Sequence, residues 1–344
     1  MNKIKIGIVG ASGYTGSELV RILLNHPNVS IEYITSETSA GKPFADLHGA
    51  FRQLMELPLI KVEEALDIDV DAVFLALPHG VSMNYAPQFL EKGRVVIDLS
   101  GDYRLDDLAL YEKWYQKHVS PELIGKAAYG LPELFSKEIK QANLIANPGC
   151  YPTSAILALA PVIQSGNYEE STIIVDSKSG TTGAGIKPGG STHFPSLYGN
   201  FFAYKVEGHR HQPEIHNSLS KLNSKAFTIK FTPHLLPIDR GILSTVYVKP
   251  SETTDLNNLR KSFTNFYSGQ PFIRITDAPP QVKNVKGSNF ADIFPYYDQE
   301  NGLIVILSVI DNLVKGAAGQ AVHNLNLRFN LEETAGLGLA PLNP

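Results

Sequence analysis

The chain has 344 residues, 43% of them hydrophobic and 19% charged, with a formal net charge of −4. This is an ordinary globular composition, with enough length for one large or two ordinary domains. The charge offers no general attraction to nucleic acid or to anionic membranes, and no apolar run approaches the roughly 20 residues of a membrane span, so neither kind of partner is expected.

From Met1 the chain reads directly into a strand, with no signal-peptide pattern; that and a single cysteine make a cytoplasmic location the expectation. Residues 4–9 form a near-continuous apolar strand and 14–24 read as a helix. Further strands follow at 29–34, 72–77 and 95–99, with helical patterns between most of them, a rhythm that predicts a parallel sheet with crossover helices. Residues 143–146 read as another strand, ended by Pro148-Gly149, and a helix is expected over 153–163. Strands then recur at 172–177, 227–231, 243–248, 272–275 and 303–308 with fewer helices, so the second sheet is expected to be mixed or antiparallel. A last helix is expected over about 312–328. Between these lies a glycine-rich loop, Ser179 to Asn200, and loops of that length inside a domain are usually functional or disordered.

The first strand runs into Gly10-Ala11-Ser12-Gly13-Tyr14-Thr15-Gly16, which opens the first helix. In that context the glycines let backbone approach a pyrophosphate, and the helix N-terminus supplies N–H donors. Gly10, Ser12, Gly13, Tyr14, Thr15 and Gly16 are therefore candidate cofactor contacts; the alternative is a tight turn needed only for packing. The end of the second strand separates NAD from NADP. Ser36 and Lys42 favour NADP, Glu37 is ambiguous, and Lys42 reads equally well as a solvated surface residue. Pro78 and Gly80, after the third strand, are expected beside the cofactor, with His79 as a wall. The expected fold class is α/β: an N-terminal Rossmann-type parallel-sheet domain plus an α+β catalytic domain with a mixed or antiparallel sheet.

Cys150 is the one cysteine. It can make neither an intramolecular disulfide nor a thiolate metal cage, and no metal is expected. It is either a core filler or a nucleophile. Its place at a strand-to-helix turn, near the positive end of a helix dipole, favours the thiolate; a free thiol has a pKa of about 8.5 and such sites lower it.

Four segments together carry a family resemblance: the N-terminal glycine motif, Asn147-Pro148-Gly149-Cys150-Tyr151-Pro152-Thr153, Gly208-His209-Arg210-His211-Gln212-Pro213-Glu214-Ile215 and the run from Asp311 to Ala321. They resemble the N-acetyl-gamma-glutamyl-phosphate reductase family of the aspartate-semialdehyde dehydrogenase superfamily, over essentially the whole chain. Ser154 stands where that family is expected to have Gly or Ala. The resemblance implies NADP-dependent reduction of a small acyl phosphate to an aldehyde through a thioester on Cys150, with the catalytic histidine in the His209–His211 motif. His211 is favoured as acid/base, His209 as its helper, and His193 is the runner-up.

An anionic substrate calls for Arg104, with Ser100, as phosphate or carboxylate recognition; Arg210, Lys205, Asn147 and Glu214 complete the substrate set. An Arg104 surface pair with Asp102 or Asp106 is the competing reading. Ser179 and Gly180 are expected to cradle cofactor or substrate through backbone N–H groups, and Asn312 to meet the nicotinamide amide or act as an N-cap. The resemblance further implies a discontinuous cofactor domain, residues 1–149 plus 312–344, a catalytic domain 150–311, and a homodimer or homotetramer. N-acetyl-aminoadipyl phosphate is the main rival substrate, since one methylene is worth only about 1–3 kcal/mol of discrimination. Aspartyl phosphate fits less well, because Ile242 stands where that branch is expected to have histidine. A cysteine hydrolase or a non-catalytic NADP sensor would leave, respectively, the glycine motif or the cysteine motif without a use.

Overall fold

Two seven-stranded sheets organise the chain, one in each of two units. The computed structural model describes residues 3–343; Met1, Asn2 and Pro344, at the ends of the expected first domain, lie outside the described residues. The first unit holds the described residues up to Gly149 together with Ala317–Gly338, and the second holds Cys150–Gly316 with the described residues from Leu339.

In the first unit the strands are β1 (Ile4–Val9), β2 (Val29–Thr35), β3 (Leu59–Ile60), β4 (Ala72–Leu75), β5 (Val95–Asp98), β6 (Ala128–Tyr129) and β7 (Leu144–Ala146). The helices are α1 (Tyr14–Leu23), α2 (Phe44–Leu47), α3 (Val62–Ala65), α4 (Ser82–Glu91), α5 (Leu108–Trp114) and α6 (Pro132–Gln141). The sheet order is β3-β2-β1-β4-β5-β7-β6, and every neighbouring pair is parallel. Ile6, Ile8, Val73, Phe74, Val96 and Ile97 are fully buried, as parallel strands covered on both faces require. The order reverses between β1 and β4, and in such sheets ligands bind beyond the carboxyl ends of the strands at that point. β4 stops at Leu75, two residues before the expected end, and Pro78, which has no N–H to give a ladder, follows in the loop.

The second unit contains α7 (Cys150–Ser165), β8 (Thr172–Ser179), α8 (Phe194–Leu197), β9 (Phe202–Ala203), α9 (His211–Leu219), β10 (Thr228–Leu235), β11 (Ile242–Val248), α10 (Leu256–Phe266), β12 (Ile273–Ile275), β13 (Ala291–Asp298) and β14 (Leu303–Ile310). The sheet order is β12-β13-β14-β11-β8-β10-β9. It is mixed: β8 with β10 and β12 with β13 run parallel, and the other pairs antiparallel. β13 was not visible in the sequence, because Pro295 at its centre argues against a strand. The proline is accommodated because β12 pairs only with residues 291–293 and leaves an edge beyond them.

α7 packs on β11 and β14. Its Ser154 hydroxyl lies 2.9 Å from Ser244 Oγ and 3.2 Å from Ser308 Oγ, and Ser177 Oγ lies 2.7 Å from Ser244 Oγ. These four hydroxyls are fully buried and satisfy one another, which is why a serine is tolerated at 154.

Two expected helices begin elsewhere. α7 starts at Cys150 itself rather than at Thr153, with Pro152 in the first turn, where its missing N–H costs nothing. The last helix is not continuous from Asn312: a π-helical turn, Val314–Ala318, precedes α11 (Gly319–Arg328). The chain re-enters the first unit at Ala317, not Asn312, because residues 311 and 312 are hydrogen-bonded to Gly287, Gly241 and Thr182 of the second unit. Leu342 N–H donates to Lys286 O at 2.6 Å, so the last described residues belong to the second unit rather than the first. Among the described residues no helix is long and apolar enough to cross a membrane.

Candidate active site

The candidate cofactor residues near the N-terminus lie in the first unit. Gly10 adopts φ +90°, and a Cβ there would come within 2.5 Å of Ala76 O, so the turn between β1 and α1 needs glycine for both reasons. Gly10 N–H and Ala11 N–H are tied to Thr35 Oγ1 and O. At Gly13 the nearest atom to an added Cβ is 3.9 Å away, so that side of the loop is open. Gly13 is also the N-cap of α1 and offers no side chain to the first-turn N–H groups. Those donors have no partner within the helix, and Ser12, Gly13, Tyr14 and Thr15 are all partly exposed. The loop and helix end fit an anionic pyrophosphate.

At the end of β2, Ser36 is 3% exposed, and its Oγ has no hydrogen-bond partner among the described residues. Lys42 is exposed. The ambiguity of Glu37 resolves: its Oε1 accepts the Val62 N–H at 3.2 Å, the first residue of α3. That carboxylate caps a helix, while a hydroxyl and a lysine stand beside it. After β4, Gly80 N–H donates to Asp102 Oδ1 at 2.7 Å, and His79 Nδ1 accepts from Gly101 N–H at 2.7 Å. That bond fixes the His79 ring in the loop that also holds Pro78 and Gly80.

Three residues expected at the substrate are engaged inside this unit. Ser100 is 1% exposed, and its hydroxyl donates to Asp98 Oδ2 at 2.7 Å. Arg104 donates from Nε to Asn147 O at 2.7 Å and from Nη2 to Leu99 O at 2.8 Å, which ties the ends of β5 and β7 together. Asn147 donates from Nδ2 to Ala317 O and accepts from Asn324 Nδ2 at Oδ1. The sequence made all three candidate substrate contacts; it could not reveal that the Asp98 carboxylate accepts from Ser100, and backbone carbonyls from Arg104 and Asn147. Asp98 is fully buried, and its carboxyl is pushed up from the ordinary range chiefly by burial, then by the neighbouring Asp102 charge.

Cys150 and the two candidate histidines lie in the second unit. Cys150 is partly exposed at the first position of α7. Tyr151 follows it, and its ring packs edge-on against His209, His211 and Phe231, with centroids 6.1, 5.8 and 5.3 Å away. The two histidine rings are 4.7 Å apart. Tyr204 OH donates to Tyr151 OH at 3.3 Å, and Tyr151 OH donates to His234 O at 3.0 Å. Burial is the main reason both phenols are pushed up, and the Cys150 charge adds to the rise in each. The thiol therefore shares an electrostatic neighbourhood with the aromatic cage around the histidines. Tyr151 and Tyr204 were not singled out from the sequence, although Tyr151 sits inside the cysteine motif.

His211 is the first residue of α9, 7% exposed. His209, 5% exposed, precedes it, and its Nδ1 accepts the His211 amide N–H at 3.1 Å, which leaves the His209 proton on Nε2. Burial, then the charges of Arg210 and Lys205, depress His209 to about 3. Gln212 Oε1 accepts Phe231 N–H and docks this helix on β10. Glu214 is buried in α9, Arg210 is its N-cap, and Lys205 is exposed with φ +47°. His193 is the N-cap of the short α8 and is exposed.

The glycine-rich loop is used differently from expectation. Gly180, Thr181 and Thr182 donate their N–H groups to Gly241, Ile238 and Asp239 carbonyls, and Ser179 Oγ donates to Gly180 O. Those amides close the sheet end and are not offered to a ligand. Asn312 is likewise engaged: Oδ1 accepts Gly241 N–H at 2.7 Å, and Nδ2 donates to Thr182 Oγ1 at 2.9 Å. Among the described residues no group of three or more His, Cys, Asp or Glu could hold a metal ion.

Residues 5–142 match the family model described as semialdehyde dehydrogenase, NAD binding domain, and residues 150–312 the one described as semialdehyde dehydrogenase, dimerisation domain. The chain is 48% identical to an N-acetyl-gamma-glutamyl-phosphate reductase of Citrifermentans bemidjiense, over 99% of this chain and all of that one. It is 47% identical to one of Methanocaldococcus jannaschii, over 99% of each. Among solved structures it is similar to aspartate semialdehyde dehydrogenase II of Vibrio cholerae, with a TM-score of 0.73 and 19% identity over 96% of this chain and 99% of that one. It is also similar to an aspartate semialdehyde dehydrogenase with NADP from Candida albicans, with a TM-score of 0.71 and 14% identity over 95% and 98%. At those identities the likeness is one of fold.

Proposed function

The chain belongs to the N-acetyl-gamma-glutamyl-phosphate reductase family of semialdehyde dehydrogenases, and on that premise we propose that it reduces N-acetyl-glutamyl 5-phosphate to N-acetyl-glutamate 5-semialdehyde and phosphate in arginine biosynthesis, using NADPH. The observation that carries the reading is a single thiol at a helix N-terminus beside an aromatic cage that holds two histidines.

In this mechanism Cys150 Sγ attacks the acyl carbon, the bond to phosphate breaks, and a thioester remains. The 10–16 turn would hold the pyrophosphate of NADPH and Ser36 with Lys42 its 2′-phosphate, and the bound cofactor would supply the hydride for the thioester carbon. His211 takes the thiol proton; once hydride has added to the thioester carbon, the tetrahedral oxyanion collapses, the C–S bond breaks to release the aldehyde, and His211 returns the proton to the leaving sulfur. His209, neutral at working pH, fixes the start of α9 through the His211 amide. Arg210 and Lys205 are better placed to meet an anionic substrate than Arg104, whose donors serve backbone carbonyls. The mechanism requires the thiol, nicotinamide and anion-binding groups to converge on one acyl carbon. Relatives named for the glutamyl substrate support that chain length over the aminoadipyl one. The homo-oligomer and the cytoplasmic location belong to the same reading.

The test is the reverse reaction, with NADP, inorganic phosphate and N-acetyl-glutamate semialdehyde. Phosphate-dependent NADPH formation is expected, and its loss in Cys150→Ala. Activity without phosphate would sink the phosphorylating mechanism; activity surviving in Cys150→Ala would sink the covalent one.

A further inference from the structure

The segment that follows β14 makes an unusual turn, and its backbone lies directly against Cys150. A Cβ placed on Gly316 would come within 2.8 Å of Cys150 Cβ and 3.2 Å of its Cα. These are atoms at the root of the side chain and in the backbone, so no rotamer change can relieve the overlap. Position 316 therefore admits no side chain unless the start of α7 moves.

The turn is built by a buried carboxylate. Asp311 is fully buried; its Oδ1 accepts the N–H groups of Leu313 at 2.8 Å and Val314 at 3.0 Å, and its Oδ2 accepts that of Gly287 at 2.6 Å. Arg240 Nη1 lies 3.6 Å from Oδ2. The Asp311 main-chain oxygen accepts Gly316 N–H at 2.9 Å, five residues on, which is the π spacing. Such turns are rare and frequent at functional sites. Asn312 pins the same segment from the other side through Gly241 and Thr182. A carboxylate that accepts three amides in a buried site holds one geometry firmly.

We propose that residues 311–316 form a rigid seat for the reactive thiol: Asp311 folds the seat, Gly316 backs Cys150, and both are positioning residues for the thiol chemistry. This rests on the reading of Cys150 as the nucleophile. The seat fixes where the first turn of α7 presents its sulfur, so displacing it removes the sulfur from the helix-end donors that favour thiolate.

One cysteine in the chain makes the test clean, since iodoacetamide alkylation reports on Cys150 alone. The alkylation rate is measured against pH for the wild-type protein, Gly316→Ala and Asp311→Asn, with thermal melting alongside. In folded Gly316→Ala the rate at pH 7 is expected to fall about tenfold and the midpoint to rise by about one pH unit, since thiolate fraction falls tenfold per unit. The KM for NADPH should stay within about twofold. Asp311→Asn should move the profile in the same direction, and decides alone if Gly316→Ala does not fold. Wild-type alkylation profiles in the folded variants overturn the proposal, even if turnover falls. Retained turnover in Cys150→Ala would instead overturn the functional reading, so the two failures are distinct.

Discussion

Burial makes His209 a poor proton carrier near neutrality. Its value of about 3 lies well below the ordinary 6.5, chiefly through desolvation and then through the Arg210 and Lys205 charges. The sign of the consequence follows from linkage. The unfolded chain binds a proton at this histidine below about 6.5 while the folded chain does not until about 3, so stability rises with pH across that window. Between pH 7 and pH 5 this one group should cost the fold about 2 kcal/mol. Urea unfolding at both pH values should give a loss smaller by about that amount in His209→Asn than in the wild type; an unchanged difference would rule out a depressed His209. For the same reason His209 is the weaker candidate for the acid/base group of a reaction run near pH 7. His211→Asn should lower kcat by about 10² or more, and His209→Asn by clearly less, as read by initial rates at saturating substrate. The sequence put both histidines in one motif and favoured His211 by resemblance alone. What separates them is the burial of His209, together with a local hydrogen bond from the His211 amide to His209 Nδ1, and burial is not readable from spacing.

Elements carry the cofactor argument. The strand–turn–helix at residues 4–23 was legible because a continuous apolar strand, a glycine turn and a 3.6-residue pattern agree locally. The π-helical turn and β13 were not, since one depends on a buried carboxylate at 311 and the other tolerates Pro295 only because its neighbour is short. The choice of NADP was half legible. Hydroxyls and a lysine suggested it, but the role of Glu37 became clear only with α3 in place to be capped. If Lys42 and the buried, unpartnered Ser36 Oγ serve a 2′-phosphate, the loss is one of ground-state and transition-state binding alike. Lys42→Ala should raise the KM for NADPH about tenfold, the scale of one charged hydrogen bond. Its kcat and its KM for NADH should be unchanged, and steady-state kinetics with the two cofactors checks it. Equal effects on both cofactors would remove Lys42 from the phosphate.

At the scale of the whole molecule, the remaining feature is an open sheet face in the second unit. α7 covers the face that carries Ser177, Ser244 and Ser308. On the opposite face, Ile174, Tyr247, Val305 and Tyr296 stand directly across from one another on β8, β11, β14 and β13. Ile174, Tyr247 and Tyr296 are 45%, 38% and 43% exposed. A row of large apolar side chains across four strands is an association surface by composition, since isolated exposed apolar residues are ordinary but a contiguous band is not. The sequence marked β8, β11 and β14 as strands, but the row itself needed the register between them. A homo-oligomer through this face makes a specific demand. Ile174→Lys with Tyr247→Lys puts two like charges opposite each other on the band. Because both sites are solvent-exposed within one chain, the fold itself should lose little stability, whereas burying two unpaired ammonium groups in an interface is costly. Sedimentation velocity at micromolar concentration should give a multiple of the 37.6 kDa chain for the wild type and a smaller species for the double variant, with the thermal midpoint lowered only as far as loss of association lowers it. An unchanged mass would move the interface elsewhere, and a wild-type monomer would remove the oligomer from the reading altogether.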